Sequence, residues 1–115
     1  MKTRISADEI KYFVGYYMGP YNTSQFAFKC CSCIENAMLF VKFKLDYFKN
    51  SSYGFSVYSN EKVKKGNHYV QKMFLEWHRD GQDCRGELFS PSVGWRIYID
   101  ENNQVQEEHF TPKEN

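Results

Sequence analysis

The chain has no long apolar run. Its longest, Ala37 to Val41, falls far short of the roughly 20 apolar residues that a membrane-spanning helix needs. The N-terminus, MKTRISADEIKYF, has neither the apolar core nor the small-residue cleavage site of a secretory leader. The expectation is a cytoplasmic protein with no membrane partner. A glycine-rich phosphate loop, a G-x-S-x-G elbow and an H-E-x-x-H pair are also missing, so no catalytic signature is written in the chain. Charge of one sign is missing too: the net charge is +1. That balance argues against a partner held by bulk electrostatics, such as duplex DNA. It is not evenly spread. Residues 1–57 hold seven Lys/Arg and four Asp/Glu, whereas residues 84–115 hold three and six.

Cysteine is scarce, and three of the four lie in Lys29-Cys30-Cys31-Ser32-Cys33. Zinc sites pair their ligands as C-x₂₋₄-C, which lets a tight turn aim two sulfurs at one ion. Here Cys30 faces away from Cys31 and Cys33 on a strand, and a full ligand set needs Cys84 and a histidine from distant segments. A disulfide framework needs an oxidising compartment. A thiol nucleophile needs a base beside it, and His68, His78 and His109 show no telling spacing to a cysteine. The expectation is packing: no metal, no cofactor and no catalytic residue. Asp80, Asp83, Glu107 and Glu108 read as solvated charge, since spacing alone makes no acid–base pair. His78-Arg79-Asp80-Gly81 is similar to a kinase catalytic loop, but its companion motifs are absent. It reads as an element ending at Gly81.

What the chain does have is aromatic side chains, 18% of 115 residues. That share fits one ordered domain spanning 1–115, with 110–115 as a frayed tail. Ser6 and Glu9 fit a capping box, and Ile10, Phe13, Val14, Tyr17 and Met18 recur at three- to four-residue spacing before Gly19-Pro20. The spacing predicts an N-terminal amphipathic helix over 7–18. Alternation follows at 25–34. It continues at 37–47, where Ala37, Leu39, Val41, Phe43, Leu45 and Tyr47 occupy every odd position, and at 53–59. Residues 68–79 carry both a strand face and a helix face, and the hairpin context favours strand. Residues 95–99 and 105–110 read as strands around a turn at Asp100–Asn103. The expected fold is α+β: the N-terminal helix on one face of a mostly antiparallel, meander-like sheet of about five strands.

One short helix covers one face of such a sheet. The other face, in this register, carries Phe40, Phe48, Tyr58, Phe74 and Tyr98 among Lys42, Lys44, Lys72 and Arg96. Aromatics and arginine with few acids are the composition of interface centres. Of these, Phe40, Lys42, Lys44, Tyr58, Tyr98 and Arg96 are the expected binding residues. The expected function is a small non-enzymatic protein that occludes a partner macromolecule, as an inhibitor or immunity-type factor does, with self-association as a variant. The alternative is a single-stranded nucleic-acid binder using the same rings and cations, although no RNP-type segment is present. A small hydrolase or thiol enzyme comes third, and it needs a histidine beside Cys84, Asp80 or Glu107.

Overall fold

A computed structural model describes residues 6–19 and 25–112. The class is α+β: one long helix against a curled antiparallel sheet of seven strands, more than the five expected. The elements are β1 (Tyr12–Tyr17), β2 (Gln25–Cys31), α1 (Ile34–Ser51), β3 (Gly54–Lys65), β4 (His68–His78), β5 (Arg85–Ser90), β6 (Trp95–Ile99) and β7 (Val105–His109). The strand order is β2-β1-β3-β4-β5-β6-β7, so from β3 onwards the sheet is a meander.

Two elements exchange roles relative to the sequence reading. The N-terminal helix expected over 7–18 is a single 3₁₀ turn, Ala7–Glu9, followed by β1. The capping chemistry is real but local: the Ser6 N–H donates to the Glu9 carboxylate at 2.9 Å. Beyond it, Tyr12-Phe13-Val14-Gly15-Tyr16-Tyr17 is aromatic, β-branched and broken by glycine, which favours a strand. Its apolar residues serve both sheet faces. Val14 is opposite Val57 towards the helix, while Phe13 stacks on Tyr58 at 5.3 Å on the far side. Filling both faces mimics a helical stripe.

The strand expected over 37–47 lies inside α1. Ala37, Met38, Val41, Leu45 and Phe48 are its buried positions, spaced as one helical face. Leu39, Phe43 and Tyr47 are also four apart, on the opposite side, and they are exposed. Two interleaved helical stripes put an apolar residue at every odd position, which is why the segment reads with a period of two. The helix starts at Ile34 behind its N-cap Cys33, which makes no side-chain cap bond. It is closed by the buried Ser52, whose hydroxyl donates to the Phe48 carbonyl at 2.6 Å.

The inner face of α1 packs on Val14, Phe55, Val57, Leu75 and Trp77. Phe48 stacks on Phe55 at 5.0 Å. The sheet curls so that Leu88, Trp95 and Ile97 of β5 and β6 close the same core. The Trp77 indole N–H donates to the Asn103 carbonyl in the β6–β7 turn at 3.2 Å, holding that curl. Asn103 takes the left-handed conformation, φ 61°, as its place in the turn predicts. The strands expected at 25–34, 53–59, 68–79, 95–99 and 105–110 are present as β2, β3, β4, β6 and β7, with β3 longer than expected and β2 shorter. Phe110 donates its N–H to the Gly94 carbonyl at 3.0 Å. Of the tail expected to fray, 113–115 lie outside the described residues.

The helix assignment makes a sharp contrast in stability. Phe48→Ala should cost about 3–5 kcal/mol through the cavity it leaves. Phe43→Ala, at a position 79% exposed, should change stability by less than about 0.5 kcal/mol. Urea unfolding of both variants checks this. Equal costs would put residues 43 and 48 in equivalent environments and contradict the helix.

Candidate functional site

The outward stripe of α1 is the most exposed apolar feature of the described surface. Phe43 is 79% exposed and Leu39 50% exposed. Half-buried Phe40 lies beside them, and Tyr47 extends the stripe one turn on. Lysines ride over these rings: Lys29 of β2 sits 5.8 Å from the Phe40 centroid, and Lys44 lies 5.6 Å from Phe43 and 5.7 Å from Tyr47. Such cation–π contacts hold the stems across the rings and keep the ammonium groups at the rim. Tyr16 of β1 meets Tyr47 edge-on at 6.1 Å. A groove of about 430 Å³ runs between this stripe and the end of β2, lined by Lys29, Cys30, Asn36, Leu39, Phe40 and Phe43 among others.

The six residues singled out from the sequence do not share a sheet face. Phe40, Lys42 and Lys44 lie on α1. Tyr58 is on β3, on the far side of the sheet, stacked on Phe13, and burial pushes its hydroxyl pKa up. Arg96 and Tyr98 are on β6, three strands further along. The Arg96 guanidinium lies 3.9 Å from the Tyr98 ring centroid and is bound by Glu87 and, at 3.0 Å, by Glu108. Two carboxylates already answer its charge. The structure therefore splits the six: Phe40 and Lys44 lie on one flank of the α1 stripe and Lys42 on the other, Arg96 and Tyr98 pair on β6, and Tyr58 stands alone, while Leu39 and Phe43 are added. The signal for those two was in the sequence: six consecutive odd positions are apolar, more than one amphipathic helix face can hide.

The far side of the sheet buries a polar cluster instead. Glu76 and His78, neighbours on β4, are each 4% exposed. Their side chains meet at 3.0 Å, His78 Nε2 to Glu76 Oε2. Arg85 Nη2 lies 3.2 Å from Glu76 Oε1. That oxygen has no well-aligned donor, so the contact is an ion pair rather than a directed bond. The Tyr17 hydroxyl donates to Ser56 Oγ at 3.3 Å, and its ring packs on His78 at 4.6 Å. Burial, helped by the nearby Glu76 carboxylate, pushes Tyr17 up to about 12.

Cys84 lies at the edge of this cluster, but its sulfur engages the main chain of His78. It accepts from the N–H and donates to the carbonyl, each at 3.3 Å. Burial pushes its thiol up, the opposite of what a thiolate nucleophile needs. Within the cysteine-rich segment, Cys30 is exposed, Cys31 is buried with its thiol pushed up by burial, and Cys33 is the N-cap of α1. All four cysteines are free. Among the described residues no group of three His, Cys, Asp or Glu is placed to hold a metal. Among the described residues no helix is long and apolar enough to cross a membrane. Comparison with known proteins gives no match to a family model, a curated protein or a solved structure.

Two outcomes follow for the buried cluster. Glu76→Ala leaves the buried His78 ring without its partner and should cost about 1–3 kcal/mol in urea unfolding. Glu108→Ala, at an exposed pair, should cost less than about 1 kcal/mol. A cost for Glu76 below that of Glu108 would deny the cluster a stabilising role. At alkaline pH the unfolded Tyr17 loses its proton from about pH 10, while the folded residue holds it to about 12. The unfolded state is thus favoured progressively across that window, and stability falls. Tyr17→Phe should flatten this decline.

Proposed function

We propose that the protein is a small non-enzymatic binding module that occludes a protein partner with the outer face of α1. The observation that carries the reading is the second apolar stripe. A helix that only closes a sheet needs one apolar face, and α1 has two. Exposed clusters of large apolar side chains with a polar rim mark interaction sites. Burying Phe43 and Leu39 under a partner contributes about 1.5–3 kcal/mol each, enough for two anchors to dominate a specific interface.

Charge sets the partner's chemistry. Lys29, Lys42 and Lys44 flank the stripe, so the matching surface is an apolar recess rimmed by carboxylates. Complementary rims steer encounter and set register more than they add affinity. Inhibitors and immunity-type factors act in this way, by covering a surface rather than by chemistry. Small size and the lack of catalytic motifs agree with that role. A stacking platform on the sheet for single-stranded nucleic acid has less support, because the rings and cations it needs lie on separate surfaces.

The test uses a photo-crosslinking phenylalanine analogue at position 43, with position 89 as a control. Phe89 is an exposed aromatic on β5, remote in the strand order. A partner captured from the native source should cross-link from 43 and not from 89. Phe43→Glu should reduce its capture at least tenfold. Cross-linking from 89 alone, capture that survives Phe43→Glu, or cross-linking only to a second copy of the chain would overturn the reading.

A further inference from the structure

We infer that the tip of the β3–β4 hairpin is a DNA-binding ribbon that enters the major groove of a duplex. This stands apart from the α1 stripe and would survive its failure. Residues 62–65 of β3 pair with 68–71 of β4, and a two-residue turn, Gly66-Asn67, joins them. Gly66 takes φ 64° in open space. Glycine first, at positive φ, is the pattern of a II′ hairpin turn, whose twist matches its strands.

Every residue from 64 to 69 is exposed, so the tip stands clear of the body. On it lie Lys62, Lys64, Lys65, His68 and Tyr69. By register, Lys62, Lys64 and Tyr69 face one way, and Lys65 and His68 the other. None of the three lysines is ion-paired to a described residue. Tyr69 is 66% exposed.

The near-neutral net charge conceals a partition along the sheet. Residues 11–72 carry nine lysines against three carboxylates, a net +6, and residues 73–115 carry a net −5. The tip belongs to the basic half, which also holds α1 and β1–β3, while β5–β7 are acidic. The charge that matters to a partner is the local one.

A nucleic acid fits better than an acidic protein. Lysine is depleted at protein interfaces, and this tip has no apolar core to bury. A phosphate polymer, by contrast, rewards each lysine separately through counterion release. A duplex fits better than a single strand. Single-strand platforms stack several rings on one groove, and the tip's two exposed rings, Tyr69 and His68, face opposite ways. Cations on both faces of a ribbon suit a groove walled by phosphates on both sides. The B-form major groove is about 12 Å wide and 8.5 Å deep and admits a two-stranded ribbon. Two strands about 4.8 Å apart, and a tip of about 10 Å from residue 62 to 65, match that space.

The test is fluorescence anisotropy of the full chain with a labelled 20-bp DNA duplex across a salt series starting at about 50 mM. Micromolar binding that weakens with salt is expected. Replacing Lys62, Lys64 and Lys65 together by Gln should cut affinity at least tenfold and reduce the log–log salt slope by about 3. The single change Lys64→Glu should act in the same direction, and Phe43→Glu should not. Circular dichroism melting confirms that the variants fold. No duplex binding at that starting salt would overturn the proposal, as would binding that survives the triple change. Tighter binding to the same length of single strand would remove the groove. Displacement by polyglutamate as effective, charge for charge, as by unlabelled duplex would turn the tip into a site for acidic protein.

Discussion

The burial of one face of α1 against the curled sheet is the constraint on which the rest of the structure depends. Phe48 stacked on Phe55, with Met38, Val41 and Leu45 along the same line, closes a core that β1, β3 and β4 leave open on one side. That seat fixes the rotation of the helix about its own axis. With Ala37, Val41 and Leu45 facing in, Leu39, Phe43 and Tyr47 must face out, because a two-residue step turns the helix by about 200°. The exposed stripe is therefore a consequence of the core as much as a separate feature. The sheet's curl, held by the Trp77–Asn103 hydrogen bond, lets β5 and β6 add Leu88, Trp95 and Ile97 to the same core.

The α+β class, the meander and most strands were legible in the sequence because those segments are built on simple rules. β6 alternates buried Trp95 and Ile97 with Arg96 and Tyr98, and Asn103 has the side chain that its turn asks for. The two misread segments share one cause: each presents apolar residues to two environments. β1 packs Val14 under the helix and Phe13 on the far side, and its strand pattern dissolves into a helix-like one. α1 buries one stripe and exposes another, and its helix pattern dissolves into alternation. Periodicity reads amphipathicity, so it fails where an element is apolar on both sides.

The candidate site was half legible for the same reason. Phe40, Lys42 and Lys44 were singled out as contact residues on a strand, and they stand on a helix beside the apolar stripe. Arg96 and Tyr98 looked equally available in the sequence, but Glu87 and Glu108 lie across the strands and engage the arginine. No pattern along the chain shows a cross-strand partner. The Glu76–His78–Arg85 cluster was invisible for a related reason: its third member arrives from the neighbouring strand. The charge partition was legible in part, as an uneven spread of Lys/Arg and Asp/Glu along the chain. A net +1 is the sum of a basic half and an acidic half that the strand order keeps apart.

Residues 37–48 form a helix with one apolar stripe inside and one outside. Hydroxyl-radical footprinting of the intact protein reads this without any substitution. Oxidation should be fast at Leu39 and Phe43 and slow at Met38, Leu45 and Phe48, even though the methionine thioether is readily oxidised once exposed. Equal protection of 39, 41, 43 and 45, with fast oxidation at Met38, would show a strand and contradict the account.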